Sequence, residues 1–230
     1  MTRLLLLRHA ESEWNAQGRW QGLADPPLSP RGLQQAGAAG ALLGGYGITA
    51  LASSHLHRAR TTAESIAPAL GLSRRLVIDA DLREYDVGRW SGLTRPEIEA
   101  EWPGGIEDWR HGRLAATPGG ETRDGFVARI TAAVSRLAAT RPAETYLVIT
   151  HGGVIGALER SLGAEPRRLA HLAGRWIGAG PEGLRAEEDV FLFDPDADTE
   201  AARQGQPAIA AEGEGTEVPP AIGRRHTLLS

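Results

Sequence analysis

The chain has 230 residues, 41% of them hydrophobic, enough to bury a substantial core, and this length is most naturally one α/β domain. A net charge of −4 and a pI near 6.0 argue against nucleic acid or an anionic membrane surface as the main partner. There is no cysteine, which excludes disulfides and thiolate metal sites, and all 25 basic residues are arginine, so lysine has no part in any chemistry here.

In chain order, the apolar run Leu4 to Leu7 predicts a buried parallel strand that delivers Arg8 and His9 to its C-terminal edge, where open α/β sheets place their ligands. Leu28-Ser29-Pro30 announces a helix over about 31–43, with serine as N-cap and proline in the first helical position. An apolar stretch at 48–52, ending in Ser53-Ser54, predicts a second strand, and a helix over about 58–70 follows with Arg58 in its first turn. A cation there opposes the helix dipole, so Arg58 is not present to help the helix. Further strands at 76–78, 146–149 and 190–193, and helices over about 94–101, 122–139 and 153–162, complete the alternation. The pattern predicts an α/β fold, a three-layer α/β/α sandwich with a mostly parallel central sheet.

Residues 103–120 interrupt this pattern with glycines, prolines and the cluster Trp109-Arg110-His111, and are read as a cap loop over the site rather than a solvated connection. From about Asp194 the composition turns to Asp, Glu, Ala, Gly and Pro, so 1–194 is expected to be the domain and 195–230 a tail, disordered unless it docks. The opening apolar run is too short for a signal peptide, and no later stretch approaches the ~20 apolar residues of a membrane helix. A cytoplasmic protein is expected.

Four segments carry the chemistry: Arg8-His9-Ala10; Ser53-Ser54-His55-Leu56-His57-Arg58-Ala59; Arg83-Glu84-Tyr85 through Gly88, Trp90 and Gly92-Leu93; and Thr150-His151-Gly152-Gly153. In this order they resemble the histidine phosphatase superfamily, which includes cofactor-dependent phosphoglycerate mutases and many small phosphatases. The resemblance runs from Arg3 to about Gly163. It implies a phosphoglycerate mutase-like fold, a small phosphorylated metabolite as partner, and neither a metal nor another cofactor; a homodimer is left open.

The resemblance makes His9 the nucleophile that forms a phosphohistidine, which water then hydrolyses. An imidazole attacks only when neutral, and neighbouring arginines favour that form. Arg8 and Arg58 would grip the phosphoryl oxygens with the fork that lysine lacks, and His151 adds a donor from the adjacent strand end. Gly152 lets the ligand approach the backbone closely. Glu84 is the general acid of choice, its pKa raised by burial and a nearby dianion, although Glu64, Glu97 and Glu121 also lie near the relevant strands and loops. Asn15 and Gln21, with Ser12, read either as further phosphate donors or as loop-capping residues.

Ala10 stands where the family usually has glycine, adding a methyl group beside the nucleophile. His55 and His57 share one face of an extended segment and could be drawn around zinc with His9 and His151, but two arginines beside a dication would be repelled. Trp20 and Trp90 are the two tryptophans allowed near the pocket. A mutase would carry a longer insertion before the second histidine and an Asn-Lys pair after Gly92-Leu93, where this chain has Thr94-Arg95. Hydrolysis of a small phosphomonoester is therefore preferred over mutase activity, and over a non-catalytic phosphate-binding regulatory module, whose motifs should be damaged.

Overall fold

The computed structural model describes residues 1–165 and 169–193, so the tail expected at 195–230 lies outside the described residues. Six strands, β1 (Thr2–Arg8), β2 (Ala50–Ser54), β3 (Leu76–Asp79), β4 (Thr145–Thr150), β5 (Ala173–Gly180) and β6 (Gly183–Phe191), form one sheet in the order β3-β2-β4-β1-β5-β6. The first four are parallel; β5 runs antiparallel to β1, and β6 to β5. The helices are α1 (Glu13–Ala16), α2 (Pro30–Leu42), α3 (His57–Ile66), α4 (Arg95–Glu101), α5 (Gly105–Arg110), α6 (Arg123–Thr140) and α7 (Gly152–Ser161).

The four consecutive leucines of β1 explain the three layers. Leu4 and Leu6 point into one core, with Ile130 and Val134 of α6 and Val154 and Leu158 of α7. Leu5 and Leu7 point into the other, with Ala36 and Ala39 of α2 and Ala63 and Ile66 of α3. A strand covered on both faces has no polar side, which is why it reads as an unbroken apolar run. Each of these leucines is wholly buried, and each contributes roughly 1.5–3 kcal/mol by leaving water.

Several expectations are corrected. The second strand starts at Ala50 rather than 48, and α3 stops at Ile66 rather than 70, because Pro68 has no N–H for the helical ladder and clashes with the preceding turn. Strand β5 was not anticipated, since Ala-Gly-Arg-Trp-Ile-Gly-Ala-Gly shows neither alternation nor a β-branched run. Its Gly174 is required by proximity: a Cβ there would lie 1.8 Å from the Leu6 carbonyl oxygen of β1. Strand β6 begins at Gly183, well before the expected 190, because the edge of the sheet is charged rather than apolar. Residues 103–120, expected as a loop, are partly helical. They contain α5, whose Ile106 and Trp109 are buried in the same core as Leu4.

Trp20, Trp90 and Trp109 pack edge to face, with centroid separations of 5.3, 5.7 and 6.2 Å. They are core anchors rather than an exposed platform: the Trp20 N–H donates to the Leu93 carbonyl and the Trp20 carbonyl accepts from the Gly92 N–H, which ties the loop after α1 to residues 92–93. That tie fixes the wall on which Gln21 sits.

Candidate active site

After β1 the chain crosses to β2 and leaves a gap that β4 later fills, so the C-terminal ends of β1, β4 and β2 lie side by side at a topological switch point. Arg8 is in register with Thr150, and the His9 N–H donates to the Thr150 carbonyl at 2.9 Å. The residues immediately beyond, His9 and His151, therefore meet, with ring centroids 5.2 Å apart.

His9 is buried, and its Nδ1 lies 2.6 Å from the carbonyl oxygen of Ala10. A carbonyl only accepts, so Nδ1 carries the proton and the lone pair is on Nε2, which accepts from Arg58 Nε at 3.2 Å. Burial, then the charges of Arg58 and Arg8, hold the His9 pKa well below its ordinary value. The imidazole is thus neutral, with one nitrogen ready to attack. Ala10 does not adopt a left-handed conformation, its methyl group is accommodated in the core, and its carbonyl orients the His9 ring. Its N–H is received by Thr62 of α3.

Arg58 is almost wholly buried, and its Nη1 and Nη2 each donate to a carbonyl, of Ala24 and Gly22, at 2.8 and 2.9 Å. Burial lowers its pKa to about 10, opposed by the charges of Glu84 and Asp25, so it remains a cation at neutral pH. Arg8 donates to the carbonyl of Leu169 at 2.6 Å. His151 is wholly buried, bonded through Nε2 to Ser54 Oγ at 2.9 Å, and burial followed by Arg58 holds it neutral too.

Glu84 accepts from two backbone N–H groups, Tyr85 to Oε1 at 2.9 Å and Gly153 to Oε2 at 3.1 Å. The alternative carboxylates are otherwise engaged. Glu64 is an exposed partner of Arg60, Glu97 caps α4 and pairs with Arg19, and Glu121 is held by Arg129 and the Asp86 N–H. Arg129 also donates to the carbonyls of Asp81 and Arg83, clasping the segment that presents Glu84.

Ser12 and Asn15 form the capping box of α1, and the Ser12 hydroxyl also lies 2.8 Å from Gln21 Oε1. Asn15 Oδ1 is committed to that cap, whereas Gln21 Nε2 is buried with no hydrogen-bond partner among the described residues. Gly152 begins α7 beside the Arg8 side chain. His55 and His57 are exposed, unlike His9 and His151, and among the described residues no group of three or more His, Asp or Glu side chains is arranged to hold a metal. Two contributors were not anticipated. Arg129 sits mid-helix, where an arginine ordinarily faces solvent, and His171, in the turn before β5, has its ring centroid 6.3 Å from that of His9. His171 carried no local signal, because its element was not recognised.

The model of the histidine phosphatase superfamily, branch 1, matches residues 4–175, spanning every one of these side chains. The chain belongs to this family. As a histidine phosphatase superfamily member it is 34% identical over 210 residues to glucosyl-3-phosphoglycerate phosphatase of Mycobacterium tuberculosis, covering 82% of this chain and 93% of that protein. It is also 36% identical over 165 residues to a 2,3-bisphosphoglycerate-dependent phosphoglycerate mutase of Methylobacterium radiotolerans, covering 69% of this chain and 78% of the relative. Among solved structures it resembles a mycobacterial glucosyl-3-phosphoglycerate phosphatase in complex with vanadate, with a TM-score of 0.73 and 31% identity over 82% of this chain and 98% of the other. The family's α/β fold and mixed, mostly parallel sheet are thereby established for this chain. Among the described residues, no helix is long and apolar enough to cross a membrane.

Proposed function

We propose that this protein hydrolyses a small phosphomonoester through a phosphohistidine at His9, with a phosphorylated sugar or glycerate derivative as the substrate class to try first. The observation that carries the reading is the state of His9: neutral, protonated on Nδ1 by its bond to Ala10, with the Nε2 lone pair facing Arg58. In this reading the substrate's phosphoryl oxygens take over the Arg58 Nε–H, which frees the lone pair to form the N–P bond. As the P–O bond breaks, charge on the equatorial oxygens is met by Arg8, Arg58 and His151, and Gln21 and Asn15 extend the cradle along the loop. Glu84 gives its proton to the leaving oxygen, then takes one from the water that breaks the N–P bond, releasing phosphate and restoring neutral His9. Residues 103–120, anchored by Trp109, form the wall over the leaving group.

The mutase reading is kept because a mutase relative is as similar in identity as the phosphatase one. A mutase must retain a doubly anionic intermediate long enough to rephosphorylate it, and this chain brings no lysine and only Thr94-Arg95 after Gly92-Leu93. Purified protein is to be incubated with a panel of phosphorylated sugars, phosphoserine and both phosphoglycerates, followed by phosphorus NMR. Phosphate release is the expected result. Interconversion of 2- and 3-phosphoglycerate faster than phosphate release, when primed with the bisphosphate, would replace the hydrolase by the mutase.

A further inference from the structure

Ser54 closes β2 and His151 follows β4, and the parallel pairing of these strands brings the two side chains together beneath the site. Both residues are wholly buried. The serine oxygen already receives the Leu56 N–H at 3.3 Å, so its own single proton needs an acceptor, and His151 Nε2 lies 2.9 Å away. The neighbouring Ser53 does not compete, because its hydroxyl donates to the Ser54 carbonyl at 2.9 Å. On the other side of the ring, His151 Nδ1 is buried with no hydrogen-bond partner among the described residues.

We propose that Ser54 is a positioning residue: by donating to His151 Nε2 it puts the imidazole proton on Nδ1, which makes that nitrogen a donor for the substrate's phosphoryl oxygen. The opposite arrangement would leave the proton of the wholly buried Ser54 without an acceptor among the described residues. It would also turn a lone pair, rather than an N–H, toward an incoming anion. Tautomers of a neutral imidazole are set by what the other nitrogen bonds. His151 is held neutral by burial and by Arg58, so the choice between its two nitrogens has to be made by a hydrogen bond. In the resting site the nearby guanidinium groups would favour a bare Nδ1, and the serine hydroxyl is the group that opposes them. The inference rests on the phosphatase reading for its consequence but not for its test.

The test is imidazole nitrogen NMR on the uniformly 15N-labelled full chain, with the His151 signals assigned by their loss in His151→Asn. In the resting wild-type protein, Nδ1 is expected to be protonated and Nε2 bare. Ser54→Ala should shift the proton to Nε2 and lower kcat about ten- to a hundredfold, somewhat less than removing an oxyanion donor outright. Ser54→Thr, which keeps the hydroxyl, should restore the wild-type tautomer and most of the lost turnover. A wild-type His151 protonated on Nε2 overturns the proposal, as does a Ser54→Ala protein whose His151 tautomer is unchanged. If Ser54→Ala does not fold, the wild-type spectrum alone decides. If no phosphomonoester is hydrolysed, the resting tautomer still answers this question, and the failure belongs to the activity.

Discussion

Gly153→Ala separates the placement of Glu84 from the stability of the fold. A Cβ at Gly153 would lie 2.2 Å from Glu84 Oε1 and 3.0 Å from its carboxyl carbon, both at the end of a rotatable side chain, so the carboxylate yields rather than the backbone. To regain ordinary contact at 3.4 Å it must retreat by about 1.2 Å, and it loses its bond from the Gly153 N–H. Losing that hydrogen bond costs about 1 kcal/mol, and replacing glycine by alanine within a helix returns up to about the same amount, so thermal unfolding should stay close to wild type. Catalysis is far less tolerant: a displacement of ~1 Å at a reacting group can cost on the order of a hundredfold, or about 2.7 kcal/mol in the barrier. Phosphate release from an alkyl phosphomonoester, measured beside a thermal melt of the same preparation, gives both quantities. Glu84→Asp, one methylene shorter, should recover part of the loss in the Gly153→Ala background while impairing the wild type, which is the coupling expected of touching residues. A kcat/KM within threefold of wild type would refute the assignment of Glu84 as the proton donor held by Gly153. So would a loss fully matched by a lowered melting temperature.

Other outcomes follow from the same geometry. His9→Ala should abolish turnover and phosphoenzyme formation while remaining folded; retention of a tenth of wild-type turnover excludes His9 as the nucleophile. Glu84→Gln should collapse the hydrolysis of alkyl phosphates but spare an aryl phosphate, whose leaving group needs little protonation. Equal losses on both would make Glu84 a positioning residue. His9, His151 and His171 are all held well below the ordinary histidine pKa, chiefly by burial, with Arg58 or Arg8 the next cause. The unfolded chain takes up these protons below about pH 6.5 and the native state resists doing so. Their neutral form therefore costs nothing above that pH, and below it stability falls by about 1.4 kcal/mol per pH unit for each histidine still neutral in the native protein. Urea midpoints at pH 7.5 and 5.5 measure this; an unchanged midpoint would contradict the buried neutral imidazoles. Because His9 attacks only when neutral, the acid limb of kcat/KM should likewise lie below pH 6.5.

The strands that carry the motifs were legible because a strand buried on both faces must be apolar throughout. Leu4 to Leu7 and Tyr146 to Ile149 could serve no other position in a layered fold, and each ends abruptly in the polar residues that face the site. Helix α2 was legible for a local reason as well: Ser29 accepts from the Gly32 N–H with proline behind it, and that geometry lies within four residues. Chemistry followed the same rule. His9, Arg58 and His151 sit at the ends or starts of such elements, so their types and order mark them as candidates before any contact is known.

Tertiary structure decided whatever depends on proximity between distant segments. Strand β5 exists because Gly174 lets a glycine-rich run lie against Leu6, a requirement set by the partner strand and invisible in the run itself. The surroundings of Glu84, Glu64, Glu97 and Glu121 are decided in the same way, since all four are glutamates near helices or loops and only the fold shows that the last three pair with arginines. His171 and Ser54 reach the His9 and His151 imidazoles from segments distant in sequence. Sequence determines which residues are able to do chemistry, because side-chain type and local periodicity are properties of neighbours along the chain. The bond that orients His9 comes from its neighbour Ala10, whereas the one between Ser54 and His151 joins residues 97 positions apart, and only packing brings those two within 2.9 Å of each other.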